Sequence, residues 1–298
     1  MTEITKEEGI ELIKLASDLK KKDRKELLSC CKGFRAVILF EKPSTRTRVS
    51  LESAIAGLGA YPVVLSTGET QLSRGEEVRD TARVLSRYCD AIAARVKKHD
   101  FLVELAEHST VPVVNALSDK YHPLQALADV MTLYERIKSY DFTLAYVGDG
   151  NNVCNSLIIA SSVFGFKINV STPKGYEPSE EAVRKAEKLG SGLYEWFEDP
   201  RDAVRGVDAV YTDTWISMGD ESEEQVRLRA FREWQVNSDL MSFASKDAFF
   251  MHCLPAHKGH EVTEDVFESS RSIVFDQAEN RLHTAAAYFL YIWREVRS

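Results

Sequence analysis

Short apolar runs alternate along this chain with longer segments of helical spacing, and that alternation limits the fold more than any other feature. The runs are AVILF (36–40), YPVVLS (61–66), AIAARV (91–96), PVVNAL (112–117), TLAYVG (143–148), KINVST (167–172), AVYTD (209–213), FFMHCL (249–254) and IVF (273–275). Most are apolar on both faces, the pattern of parallel strands covered by helices on each side. Helical segments lie between them at 44–58, 75–88, 123–138, 152–164 and 179–189. Repeated β-α units of this length predict an α/β fold of two tandem domains, each a parallel sheet flanked by helices. The segment from His122 to Lys138 has apolar Leu124, Leu127, Ala128, Met131 and Leu133 at helical spacing and carries the chain from the first sheet to the second. The stretch AENRLHTAAAYFLYIWREV reads as a terminal helix, with Leu282, Ala285, Phe289 and Ile292 on its apolar face.

Charge and cysteine content narrow the functional classes. The 298 residues carry a net charge of −8, which argues against a broad nucleic-acid or anionic-membrane surface. A few local arginines still suffice for a positive pocket. The cysteines Cys30, Cys31, Cys89, Cys154 and Cys253 are odd in number and form no C-x-x-C, so neither a disulfide framework nor a zinc knuckle is indicated. A reducing cytoplasm fits this usage. The start, MTEITKEEGIELIKLASDLKKKD, has no signal-peptide core, and no apolar run reaches the roughly 18 residues of a membrane span. The expectation is a cytoplasmic protein with neither nucleic acid nor membrane as partner.

Several segments have residue types suited to chemistry. In FEKPSTRTRVSLESA (40–54) a strand ends, the loop passes Pro43 and a helix begins near Ser44. A helix N-terminus offers unpaired N–H groups and partial positive charge, which suit a phosphate. Ser44, Thr45 and Thr47 add hydroxyls, and Arg46 and Arg48 add guanidinium forks. The plainer alternative is that Ser44 caps the helix and the arginines are solvated. VGDGNN (147–152) invites a dinucleotide reading, but the third glycine position holds Val153, and KINVST lacks the terminal acid that would hold a ribose. Its glycines still allow a tight turn that directs Asn151 or Asn152 into a cleft. MHCLPAHKGH (251–260) has His252, Cys253, His257 and His260 on an irregular loop without zinc spacing, so no metal is expected. Cys253 is there either as a reactive neighbour or as packing at a strand end. In YTDTWISMGDE (211–221) Asp213 lies at a strand end ahead of a Ser217-Met218-Gly219 turn.

Together these segments resemble the ornithine carbamoyltransferase family. Ser44-Thr45-Arg46-Thr47-Arg48 is similar to the carbamoyl phosphate motif of transcarbamylases, and His122-Pro123-Leu124-Gln125 to their H-P-x-Q. Asp213 with Ser217-Met218-Gly219, and His252-Cys253-Leu254-Pro255, resemble the ornithine branch. Lys258-Gly259-His260 departs from the family's more usual arginine and acid, with an expected effect on loop packing and not on chemistry. The resemblance implies a carbamoyl phosphate-binding domain over 1–135, with the terminal helix 278–298 packing back on it, and an ornithine-binding domain over 136–277.

The same resemblance implies the site. Ser44, Thr45, Arg46, Thr47 and Arg95 hold the phosphate. His122, Gln125, Arg281 and Thr47 surround the carbamoyl group. Asn152, Asp213, Ser217 and Met218 hold the amino-acid end of L-ornithine, and Cys253 and Leu254 lie beside the reacting amine. Arg95, His122 and Cys253 are the implied catalytic residues. Gln71, in STGETQLSRGEE, reaches a neighbouring subunit's site, which implies a trimer. Neither a metal nor an organic cofactor is expected, because positioning two reactants supplies much of such a rate. Another acceptor, such as putrescine or an acetylated ornithine, and a non-catalytic protein that kept the fold, remain as rival readings.

Overall fold

The computed structural model describes residues 3–190, 193–216 and 221–297. The chain forms two compact units, one comprising Ile10–Met131 with the chain from Asn280 onward, the other Thr132–Glu279 with the chain up to Gly9. The divisions fall inside three helices, α1 (Lys6–Lys21), α5 (Pro123–Ile137) and α9 (Val274–Arg297).

The first unit is built on β1 (Arg35–Phe40), β2 (Tyr61–Ser66), β3 (Ala91–Arg95) and β4 (Val113–Leu117), all parallel, in the order β2-β1-β3-β4. Helices α2 (Thr45–Gly57), α3 (Val78–Leu85) and α4 (His99–His108) connect them. Val37, Leu39, Ile92, Ala94, Leu102 and Leu105 form one buried cluster, each large aliphatic side chain contributing about 1.5–3 kcal/mol by leaving water. The end of α9 packs in this unit: Trp293 lies against Phe34 and Phe289, and its indole N–H donates to the Asp90 carbonyl at 3.2 Å. With this order the connections leave β1 and β3 in opposite directions. The carboxyl ends of those two strands are therefore a topological switch point, where open α/β sheets bind ligands. Phe40 and Arg95 are paired there, and the register shifts at Ala94/Arg95, an irregularity of the kind that re-aims a side chain.

The second unit repeats the plan with β5 (Thr143–Val147), β6 (Lys167–Ser171), β7 (Tyr194–Phe197), β8 (Ala209–Thr212) and β9 (Phe249–His252), in the order β7-β6-β5-β8-β9. Helices α6 (Asn152–Phe164), α7 (Glu180–Leu189) and α8 (Glu224–Ala230) belong to it. Its switch point lies at the ends of β5 and β8, with β9 next in line. Asn151 caps α6 by accepting from the N–H groups of Val153 and Cys154, and Gly165 ends the helix at φ 88°, a backbone that favours glycine.

Two strand assignments differ from the sequence expectation. Residues 273–275 are not a strand. Ser272 makes one isolated bridge to Phe250, Ile273 bonds to the Phe250 carbonyl, and from Val274 the chain is helical. A three-residue apolar run is equally compatible with a helix start, with Ile273 and Val274 buried and Phe275 exposed. The apolar pattern does not predict the edge strand β7, sequence YEWF, since its half-exposed alternation gives no continuous apolar run. Among the described residues no helix is long and apolar enough to cross a membrane.

Candidate active site

At the first switch point the β1–α2 loop delivers Ser44 to the N-cap position, but its side chain makes no capping hydrogen bond. The plainer reading holds as to position, with Ser44 the N-cap residue and Arg46 and Arg48 exposed, but the Ser44 hydroxyl is not used on the helix N–H groups. One turn in, Thr47 is buried, and its hydroxyl oxygen accepts from Arg95 Nη1 at 2.9 Å and from Arg281 Nη2 at 3.3 Å. Arg281 also donates through Nη1 to Gln125 Oε1 at 2.6 Å, and Gln125 donates to Asp129 Oδ1 at 2.8 Å. Asp129 thus fixes which way the Gln125 amide faces. Thr45 and Arg46 are exposed on the same turn. Arg48 points elsewhere: it pairs with Glu52 one turn on, at 2.7 Å, on the exposed face.

His122, just before Pro123 at the start of α5, is buried beside this cluster. Burial, followed by the charges of Arg281, Arg95 and Arg46, holds its pKa well below the usual histidine value. The imidazole is therefore neutral near pH 7. Three guanidinium groups acting on one buried, uncharged ring give the surroundings of His122 a net positive charge that favours an anion.

This depressed pKa has a stability consequence. The unfolded chain binds a proton at His122 below about pH 6.5, while the folded chain does not until its lower pKa is reached. Stability from this residue is therefore complete above about pH 6.5 and falls as pH drops through that value. Between pH 7.5 and 5.5 the wild type should therefore lose unfolding free energy through this residue. Urea melts of the wild type and His122→Gln at the two pH values check this. The variant should lose less, and equal losses would refute the assignment.

At the second switch point three adjacent strands deliver a second cluster. Asp213, following β8, is buried. Its Oδ2 accepts from Asn151 Nδ2 at 2.8 Å, and its Oδ1 accepts from the Cys253 thiol at 3.0 Å and from the Thr214 N–H at 2.8 Å. Asn151 thus spends its oxygen on the helix cap and its nitrogen on Asp213. Asn152 is the first helical residue, half-buried. Cys253 follows β9 and is half-buried, and Leu254 beside it has φ 61°. Tyr146, buried on β5, donates to the Asp149 carbonyl at 2.9 Å, and burial, then the charge of Asp213, pushes its phenol well above the ordinary value.

Asp213, His252 and Cys253 could by position alone be read as a metal-ligand set, with ligand atoms within 4.8 Å of one another. Both His252 ring nitrogens are already engaged, Nδ1 by the Leu254 N–H at 2.9 Å and Nε2 by Glu261 at 3.0 Å. That occupancy does not suit a ligand histidine.

The sequence leaves Asn151 and Asn152 both open as the residue directed into a cleft, and the family resemblance takes Asn152 for ornithine; the one that touches Asp213 is Asn151. Sequence reasoning missed Arg227. This buried side chain on α8 pairs with Asp149, donates to the Trp215 carbonyl at 2.5 Å and lies over the rings of Tyr176 and Phe231 at 4.9 and 5.4 Å. It joins the turn before Asn151 to the segment after Asp213. Its sequence neighbourhood is an ordinary charged helix, so no local signal marked it. Gln71 is exposed on a short turn (Gln71–Arg74). Ser217 and Met218 lie outside the described residues. Lys258 pairs with Glu264 and Glu268 over the Phe267 ring, a packing role for the departing residue.

Comparison with known proteins identifies two family domains. Residues 1–135 match the family described as "Aspartate/ornithine carbamoyltransferase, carbamoyl-P binding domain", and residues 140–292 match its "Asp/Orn binding domain". The chain is 49% identical over 292 residues to an ornithine carbamoyltransferase of Archaeoglobus fulgidus, covering 97% of this chain and 95% of that protein. Among solved structures it is similar to ornithine carbamoyltransferase from Pyrococcus furiosus, with TM-score 0.91, 47% identity and coverage of 97% and 94%. It is also similar to the anabolic ornithine carbamoyltransferase from Campylobacter jejuni, with TM-score 0.93, 39% identity and coverage of 99% and 97%.

Proposed function

The chain belongs to the aspartate/ornithine carbamoyltransferase family, and from that premise we propose that it transfers the carbamoyl group of carbamoyl phosphate to the side-chain amine of L-ornithine. The products are L-citrulline and phosphate, a step of arginine biosynthesis. The observation that carries the reading is the convergence of Arg95 and Arg281 on Thr47, next to the helix N-terminus at Ser44. Fixed positive charge of this kind suits a phosphorylated donor better than a neutral one.

The chemistry follows from these groups. The neutral amine attacks the carbamoyl carbon, negative charge develops on the carbonyl oxygen, the bond to the phosphate oxygen breaks as the carbonyl re-forms, and the proton shed by the nitrogen leaves with the phosphate. Donors fixed toward such a charge contribute roughly 3–4 kcal/mol each to the rate. We assign Ser44, Thr45, Arg46, Thr47 and Arg95 to the phosphate, and His122, Gln125, Arg281 and Thr47 to the carbamoyl group. A neutral His122 donates to the carbonyl oxygen without adding a further cation beside Arg281. Asn152, Asp213, Ser217 and Met218 are assigned to the amino-acid end of ornithine, with Cys253 and Leu254 next to its reacting amine. The corresponding domains are 1–135 with 278–298, and 136–277. The reaction needs no cofactor. Gln71 completes a neighbouring subunit's site in a cytoplasmic trimer or multiple of trimers, for which light scattering should give the mass of three 33.6 kDa chains or a multiple of it. A monomer would remove Gln71 from the site.

One assay tests the function: the protein with carbamoyl phosphate and L-ornithine should form citrulline, and aspartate, putrescine or acetylornithine in place of ornithine should give little product. Loss of that preference would reassign the acceptor. The ornithine side-chain ammonium, with an expected pKa near a lysine's, about 10.4, must lose a proton before attack. At limiting ornithine the rate should therefore rise between pH 6.5 and 8.5 by up to about tenfold per unit. A flat profile would mean that chemistry on the free amine does not limit kcat/KM.

A further inference from the structure

The buried pair of His252 and Glu261 takes no part in the chemistry above, yet it adjoins Cys253 and Leu254. Both side chains are essentially inaccessible, at 0% and 1% exposure. The Leu254 backbone N–H is a donor only, so His252 Nδ1, 2.9 Å away, must be the bare acceptor nitrogen. The ring proton therefore sits on Nε2 and is donated to Glu261 Oε1 at 3.0 Å. The same Glu261 oxygen accepts from the His257 N–H at 2.6 Å. From the other side, the His252 backbone N–H donates to Gln277 Oε1 at 3.0 Å, and Gln277 donates to the Tyr211 hydroxyl at 3.0 Å.

What this network holds is an uncommon backbone. Leu254 is a γ-branched residue at φ 61°, and such a conformation persists only when its surroundings over-determine it. Its N–H is held by the His252 side chain. A histidine in the other tautomer, or a charged one, would set N–H against N–H at Leu254 and release the turn. That turn leads out of Cys253, whose thiol donates to Asp213.

We propose that Glu261 is a positioning residue: by accepting the His252 Nε2 proton it fixes the tautomer whose Nδ1 holds Leu254, and so sets the aim of Cys253 and Leu254 at the acceptor amine. This inference rests on the assignment of Cys253 and Leu254 to that amine. It differs from a packing role because the effect must pass through one ring nitrogen.

The test compares Glu261→Leu, which has no acceptor for the Nε2 proton, with the wild type, alone and combined with His252→Asn, in which an asparagine oxygen replaces Nδ1 as acceptor for Leu254 without needing Glu261. With His252 in place, Glu261→Leu should lower kcat/KM for ornithine about tenfold or more, with KM for carbamoyl phosphate within twofold. In the His252→Asn background the same change should cost under twofold. Equal losses in both backgrounds, or no loss in the first, would overturn the proposal. Spectra of the wild type labelled with ¹⁵N-histidine decide it even where a variant fails to fold. The resonance of His252, the one missing from His252→Asn or otherwise assigned through its bond to Leu254, should show an Nε2–H, Nδ1-bare ring, and an Nδ1–H ring would refute the proposal. Cys253→Ala separates the two readings. If that variant keeps wild-type ornithine kinetics, the placement of Cys253 fails. If it is impaired while Glu261→Leu is not, only the positioning role fails.

Discussion

Arg46→Ala should lower turnover by roughly 10²–10³ and leave the fold intact, because it removes a donor to charge that grows as phosphate departs. The side chain is exposed, so its loss opens no cavity. It is also one of three guanidinium groups acting on His122, so its removal relieves repulsion among them. Thermal stability in the absence of ligand should therefore be unchanged or slightly higher, the reverse of what loss of a structural residue produces. Arg48→Ala is the internal control. Two residues away, Arg48 is committed to Glu52 on the exposed face, and turnover should stay within about twofold because exposed pairs of this kind contribute little. Steady-state rates and melting curves on the two variants suffice. Near-normal turnover in Arg46→Ala, or equal losses in both, would remove Arg46 from the phosphate site.

The strand–helix alternation was legible because parallel strands covered on both faces must be apolar throughout, and β1, β3 and β5 are buried along nearly their full lengths. The exceptions have physical causes. β7 lies at a sheet edge, where Glu195 and Trp196 meet solvent, and its residues do not form an apolar run. Residues 273–275 form such a run but are recruited into a long helix, and nothing within three residues distinguishes the outcomes.

Within the two clusters, residues in compact motifs beyond the strand ends were legible and the residues that hold them were not. Thr47, His122, Asp213 and Cys253 each sit in a compact motif with recognisable chemistry. Asp129 and Glu261 act through side-chain bonds to Gln125 and His252, and Arg227 through bonds to Asp149 and a backbone carbonyl. All lie in sequences that read as ordinary helix or loop. The choice between Asn151 and Asn152 turned on where α6 begins. Once Asn151 is the cap, its nitrogen faces Asp213 and Asn152 becomes the first turn of the helix.

Asp213→Asn should be the most selective lesion. A buried carboxylate that meets the α-ammonium of ornithine provides a charge-assisted contact, and neutralising it should lower kcat/KM for ornithine by roughly 10²–10³, equivalent to about 3–4 kcal/mol. KM for carbamoyl phosphate should stay within about twofold. The substitution also carries a local cost. Oδ1 of the new asparagine can still accept from Thr214 and Cys253, but its amide nitrogen then faces Asn151 Nδ2, donor against donor. Asn151 cannot relieve this by rotating, because its oxygen is held by the N–H groups of Val153 and Cys154. One lost bond with a frustrated donor costs about 1–3 kcal/mol of stability. Asn151→Ser separates the two effects, since it removes the partner of Asp213 while sparing the carboxylate and a capping hydroxyl. It should reproduce most of the stability loss and only about a tenfold or smaller loss in kcat/KM for ornithine. If the two variants instead lose activity equally at equal stability, Asp213 only braces the loop, and the charge that recognises ornithine must be sought elsewhere.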